Sequence, residues 1–148
     1  MELMSRDFEP KGKIPGVCSC DGEDRRPELH WSGVPDGTAE LAVTCEDVDA
    51  PGGTFVHWTI WGLDPTLTGL GADSPDGAVE GINDFDNVGY GGPCPPPGHG
   101  YHHYHFRLHA LSDHLKVPPG ASITEMRRAM DGKVLDMAEL VGVFARGM

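Results

Sequence analysis

Glycine and proline interrupt this chain so often that no long helix can run through it: 21 Gly and 13 Pro are spread over 148 residues, with only short apolar runs between them. Glycine supplies positive-φ turn positions, and proline fixes φ and removes a backbone donor, so the pattern belongs to strands joined by tight turns. A chain of this length can bury roughly two thirds of its unfolded surface, enough for a core without staples. No repeat or low-complexity linker divides it, and it reads as one domain over residues 1–148. The expected fold class is all-β, mainly antiparallel, with one or two short helices near the end.

The clearest strands cover residues 40–46 (ELAVTCE), 54–63 (TFVHWTIWGL) and 101–111, with a shorter one at 29–31. Strict alternation in the second places Phe55, His57, Thr59 and Trp61 on one face and Val56, Trp58, Ile60 and Gly62 on the other. Both faces are bulky, which predicts a strand covered on both sides. Turn signals stand at residues 34–37, 73–77 and 118–120. Ser122 followed by Glu125 predicts a capping box opening a helix that runs to about Met130, with Gly132 as its stop. A second helix over residues 134–140 and a closing strand over 141–146 complete the reading. The Pro/Gly-rich residues 89–98 read as a rigid internal loop.

Charge narrows the partners. Asp and Glu number 23 against 11 Lys and Arg, a formal charge of −12. Nucleic acids and anionic lipid surfaces are held by clustered Lys and Arg, so neither a nucleic acid partner nor stable membrane association is expected. No stretch reaches the ~18 apolar residues of a membrane span, and residues 1–15 lack a signal-peptide apolar core, which reads as a cytoplasmic protein. Cys18 and Cys20 are separated by one residue, Cys45 and Cys94 stand alone, and there is no C-x-x-C pair; reduced thiols are expected, with Cys94 structural.

The strand at 101–111 carries the candidate chemistry. His102, Tyr104, Phe106, Leu108 and Ala110 share a face that becomes steadily apolar, so His102 and Tyr104 sit at the rim of the core and need polar partners. The acidic turn Glu46-Asp47-Val48-Asp49-Ala50-Pro51 closes the first clear strand, and His57 follows on the next. A carboxylate beside imidazoles raises their pKa and fixes their tautomer. Asp47, His57, His102 and Tyr104 together make a compact donor-rich site of modest positive charge, suited to phosphate, carboxylate or sulfate. The opposite face, His103, His105 and His109, has a spacing of roughly 7 Å, but without a Cys or carboxylate in the strand to complete a metal set it reads as solvated or as a subunit contact.

Cys45-Glu46-Asp47-Val48-Asp49-Ala50-Pro51, His57-Trp58, Gly81-Ile82-Asn83-Asp84-Phe85, the run Gly89-Tyr90-Gly91-Gly92-Pro93-Cys94-Pro95-Pro96-Pro97-Gly98 and His102-His103-Tyr104-His105-Phe106 occur in this order. Together they resemble the phosphatidylethanolamine-binding protein family, in its bacterial and archaeal branch often labelled Raf kinase inhibitor-like. The resemblance implies an antiparallel Greek-key β-sandwich with a small pocket at one end. It carries ligand-binding roles to Asp47, Asp49, His57, His102 and Tyr104, with Gly92, Pro93 and Pro95 as wall. His57 and His102 would donate to anion oxygens, Tyr104 would add a hydroxyl, and Asp47 would orient an imidazole or accept from an ammonium. The chain departs from the pattern at Val48, in place of Pro, and at His103, in place of Arg, which puts the rigidity of the acidic turn in doubt. Lys133 stands where many bacterial members have His, and the C-terminal helix of eukaryotic members is missing.

The reading that follows is a non-catalytic binder of a small anionic, phosphate-like ligand, with no cofactor; the flat histidine face would suit a homodimer contact, though the sequence does not fix the subunit state. Two alternatives remain: an interaction module that inhibits a kinase or protease, and a weak hydrolase using Asp47, His57 and His102. The hydrolase lacks an activated nucleophile and a G-x-S-x-G elbow.

Overall fold

A computed structural model describes residues 1–147. Eight strands, β1 (Glu2–Met4), β2 (Leu29–Ser32), β3 (Glu40–Asp47), β4 (Phe55–Leu63), β5 (Gly69–Leu70), β6 (Val79–Glu80), β7 (His102–Leu111) and β8 (Val134–Phe144), accompany one α-helix, α1 (Ile123–Met130), and a single 3-10 turn at Gly16–Cys18. They form two antiparallel sheets, β1-β2-β5 and β6-β4-β3-β7-β8. In the larger sheet the chain passes from β3 through β4 to β6 and then returns as β7 on the far side of β3, the order of a Greek key. That long return, residues 81–101, supplies much of the wall of the site described below.

The sandwich core lies between the sheets. Leu3, Leu29, Trp31 and Leu70 from the smaller sheet meet Val43, Trp58, Ile60, Phe106, Leu108 and Leu140 from the larger. Burying each large apolar side chain contributes roughly 1.5–3 kcal/mol. The other face of the large sheet packs Ala42, Trp61 and Leu111 against Met126 and Met130 of α1. The helix opens on the expected capping box between Ser122 and Glu125. The three turn signals each hold a positive-φ glycine, Gly37, Gly77 and Gly120. Among the described residues no helix is long and apolar enough to cross a membrane.

Three sequence expectations fail here, each for a physical reason. Residues 134–140 are strand, not helix: β8 pairs with β7 from Leu111↔Val134 to His102↔Phe144. Helix-forming side chains yield to that ladder and to the burial of Ala138 and Leu140. The thiols are not all reduced, because Cys20 and Cys94, 74 residues apart in sequence, form a disulfide with Cα atoms 5.4 Å apart, while Cys18 and Cys45 remain free and buried. Finally, the strict alternation assumed for β4 breaks. Cys45 pairs with Trp58 but Glu46 pairs with Val56, leaving His57 as the extra residue of a β-bulge. The bulge brings His57 onto the side of Trp58 and of Tyr104, away from Thr59 and Trp61.

Candidate functional site

At the end of the sandwich where β3 stops and β7 begins, a cavity of about 200 Å³ is lined by Asp47, Ala50, Pro51, Phe55, His57, Phe85, Cys94, Pro95, Pro96 and His102. Its polar groups come from neighbouring strands of the large sheet: Asp47 from the end of β3, His57 from the bulge of β4 and His102 from the start of β7. Pro51 and Pro96 are exposed and form its rim.

His102 Nδ1 lies 2.6 Å from Asp47 Oδ2, with both side chains almost wholly buried. The other Asp47 oxygen accepts the backbone N–H of Asp49 at 2.8 Å. Asp47 therefore orients an imidazole, and both of its oxygens are engaged within the protein. On its far side His102 Nε2 meets His99 Nδ1 at 2.6 Å, one proton lying between the two rings. His57 Nδ1 donates to the Gly91 carbonyl at 2.7 Å. This fixes the tautomer and leaves Nε2 as the ring's remaining functional edge. Burial pushes the His57 pKa below its ordinary value of 6.5, more than the Gly91 carbonyl and the Asp47 and Asp84 carboxylates raise it.

An aromatic collar sets the His57 ring. Phe85 and Tyr104 meet it edge-on at centroid distances of 5.4 and 5.2 Å, and Phe55 lies at 5.0 Å. Phe85 is presented by a tight loop built on buried Asn83, whose Oδ1 accepts the N–H groups of Phe85 and Asn87 and whose Nδ2 donates to the Gly89 carbonyl. Asp84 ties that loop to β4, accepting from Val56 N while its own N–H donates to the Val56 carbonyl. The Tyr104 hydroxyl is buried without a hydrogen-bond partner. Burial and the nearby Asp47 carboxylate hold it firmly neutral.

Of the residues singled out in the sequence, Asp47, His57, His102 and Pro95 line the cavity, and Tyr104 stands behind the His57 ring. Asp49, Gly92 and Pro93 do not line it. Exposed Asp49 accepts from the backbone N–H and Nδ1 of His103, at 2.8 and 2.7 Å, which lowers its pKa. His103 thus pins the acidic turn from the position where the resembled pattern has Arg, and the Val48 N–H donates to the His103 carbonyl at 3.3 Å. Gly92 donates to Asp24 Oδ1, and a Cβ there would fall 2.1 Å from the Cys18 carbonyl oxygen, so glycine is needed for the loop to seat. The Pro93 carbonyl accepts from Cys20 N. Both place the wall without forming its surface.

Sequence reasoning missed His99, Phe55, Phe85 and Cys94 as parts of the site. The quoted motif around Asn83 was the available signal for Phe85; His99 stands three residues before His102, but nothing in strand alternation reaches into a loop. No Lys or Arg lines the cavity, so whatever positive charge it carries comes from its histidines. On the other face of β7, Arg107 and Arg127 both pair with buried Glu46, and Arg107 also pairs with Glu139 at 2.7 Å. His109 lies half-buried there, and among the described residues no His, Cys, Asp and Glu group is arranged to hold a metal.

Comparison with known proteins gives a consistent pattern. A family model described as phosphatidylethanolamine-binding protein matches residues 4–145. A UPF0098 protein of Aquifex aeolicus is 45% identical over 152 residues, spanning 99% of this chain and 89% of that protein. The crystal structure of the Escherichia coli protein YbcL, described as a new member of the mammalian PEBP family, superposes with a TM-score of 0.92 at 33% identity, covering 97% of both chains. A Mycobacterium tuberculosis relative, 40% identical over 146 residues and covering 97% of this chain and 72% of its own, is named "Putative lipoprotein LppC". That name overturns the cytoplasmic expectation. The Cys20–Cys94 bond agrees with the correction, because disulfides persist chiefly in oxidising surroundings.

Proposed function

The chain belongs to the phosphatidylethanolamine-binding protein family, and we propose that its cavity receives a small oxyanion, phosphate or a phosphorylated head group, which it binds without transforming. The observation that carries this reading is the way the two imidazoles are held: each is pinned through Nδ1, His57 on a carbonyl and His102 on a carboxylate, so that each has only Nε2 to offer.

Neutral His57 presents a lone pair at Nε2, and only the protonated ring presents a donor there. An oxyanion therefore binds with uptake of a proton. His102, held on Asp47 through Nδ1, faces the anion with the same Nε2 edge. His99 must give up His102 Nε2 for the ligand to reach it. The unpartnered Tyr104 hydroxyl is a further donor within the same cluster. The apolar lining from Phe55, Phe85 and the prolines suits the organic part of a phosphorylated head group.

Binding rather than turnover is supported by what surrounds the imidazoles. No serine lines the cavity, and the sulfur of Cys94 is bonded to Cys20, so no activated nucleophile stands beside His57 or His102. Calorimetric titration of sulfate and phosphate into the protein and its His57→Ala variant tests the reading. Saturable binding lost in the variant is expected; binding that survives the change, or turnover of a nitrophenyl ester or phosphate, would sink it.

A further inference from the structure

The Cys20–Cys94 disulfide stands in the wall of the cavity, and the loop beyond it is held otherwise by the His99–His102 contact and the packing of Pro95. Up to Cys94 the Pro-rich segment is anchored to the body: Gly91 N donates to the His57 carbonyl, Gly92 N to Asp24 Oδ1, and the Pro93 carbonyl accepts from Cys20 N. From Pro95 to Gly100 the backbone hydrogen bonding that the structure shows is a local turn from His99 N to the Pro96 carbonyl. Pro95 and Pro96, which line the cavity, thus lie just past the last covalent tie.

The bond is also placed to be reached. Cys94 lines both the 200 Å³ cavity and a neighbouring one of about 330 Å³, and Cys20 lines the second. Both residues are half-buried. On the other side of Cys94 the Arg146 guanidinium, held by two 3.1 Å contacts to Asp21, places Nη1 3.6 Å from Sγ. A cation at that distance stabilises a thiolate, and the sulfur with the more stable thiolate leaves faster in exchange.

We propose that this disulfide is a redox control on the anion site, opened by a dithiol reductant and read out as loss of ligand affinity. The proposal rests on the reading of the cavity as an anion receptor. A thiolate of the reductant attacks Cys20 Sγ from the second cavity; the S–S bond breaks and its electron pair leaves on Cys94 as a thiolate beside Arg146. The second thiol of the reductant then attacks the mixed disulfide, releasing Cys20 and closing the reductant's own disulfide. Two electrons pass to the protein with one proton, which Cys20 takes from the second thiol; the proton of the first thiol goes to solvent, and Cys94 remains a thiolate. Residues 95–100, tied then only through the Pro93 carbonyl at one end and the His99–His102 contact at the other, hold Pro95 and Pro96 less firmly against the ligand.

The test compares the oxidised protein with the same protein reduced by dithiothreitol and freed of excess reagent without air. Sulfate affinity is expected to fall about tenfold on reduction and to return on reoxidation, and Cys20→Ser is expected to match the reduced form with or without reductant. Arg146→Gln should slow reduction several-fold while leaving the affinity of the oxidised form unchanged. Equal affinity in both redox states overturns the proposal. Backbone amide exchange at Gly98–Tyr101 is measured alongside. Where sulfate binds neither form, the anion reading fails by itself, and exchange that does not quicken on reduction sinks the redox control independently.

Discussion

His102 Nδ1 and Asp47 Oδ2 are 2.6 Å apart in a setting where both side chains are almost fully buried, so each is the other's main electrostatic partner. Removing either leaves the other buried without its ionic partner. Asp47→Ala and His102→Ala are each expected to cost about 3–5 kcal/mol of stability, with a coupling of about 1–3 kcal/mol in the double-mutant cycle. Denaturant melts of the four proteins measure it, and additive losses would mean that the contact is incidental.

The buried state of His57 sets the pH response of binding. Its pKa in the empty site lies below 6.5, and an adjacent oxyanion raises it. Sulfate keeps its charge near neutrality, so the change belongs to the protein. Affinity should be greatest at acid pH and fall up to about tenfold per pH unit between the empty-site and bound-state values. Titrations from about pH 5 to 8 that give one constant affinity would show that no proton accompanies the anion.

His99 occupies the edge of His102 that an anion needs. Replacing it with alanine removes a competitor whose hydrogen bond is worth about 0.5–1.5 kcal/mol, so sulfate should bind His99→Ala roughly two- to tenfold more tightly. Weaker binding would make His99 a ligand donor in its own right. The comparison needs only the calorimetry already described.

A second imidazole, half-buried on the other face of β7, contributes to acid stability rather than to binding. Burial, helped by Arg107 and Arg127, lowers the His109 pKa from 6.5 to about 4. The folded state therefore favours the neutral ring more than the unfolded chain does. The stability this contributes is whole above 6.5 and is lost as pH falls through the interval down to about 4. A loss of about 1–3 kcal/mol is expected from this group across that interval, and His109→Gln should flatten that part of the stability profile. An unchanged profile would place the acid sensitivity elsewhere.

Local chemistry was readable and long-range geometry was not. The strands at β3, β4 and β7, the Ser122–Glu125 cap and the glycine turns follow from alternation and from turn residues, which act over a few positions. Asp47, His57 and His102 could be named because the acidic turn and the two histidines sit at strand ends or beside them. The bulge at His57 could not be read, since it is a property of the pairing between β3 and β4 and not of β4 alone. For the same reason the Val134–Phe144 strand was divided and the Cys20–Cys94 bond was missed: a ladder partner and a sulfur 74 residues away decide them.

The extra residue at His57 leaves the two halves of β4 out of phase. From Trp58 onward inward and outward positions follow the pairing with Val43, Thr44 and Cys45, while Phe55 and Val56 follow a register displaced by one. Substitutions at the receptor end can therefore change what the mouth of the sandwich accepts while the packing of Trp58 and Ile60 stays as it is. Deleting Val56 would have the opposite effect, restoring regular alternation between Phe55 and Ile60 and turning the imidazole away from the ligand.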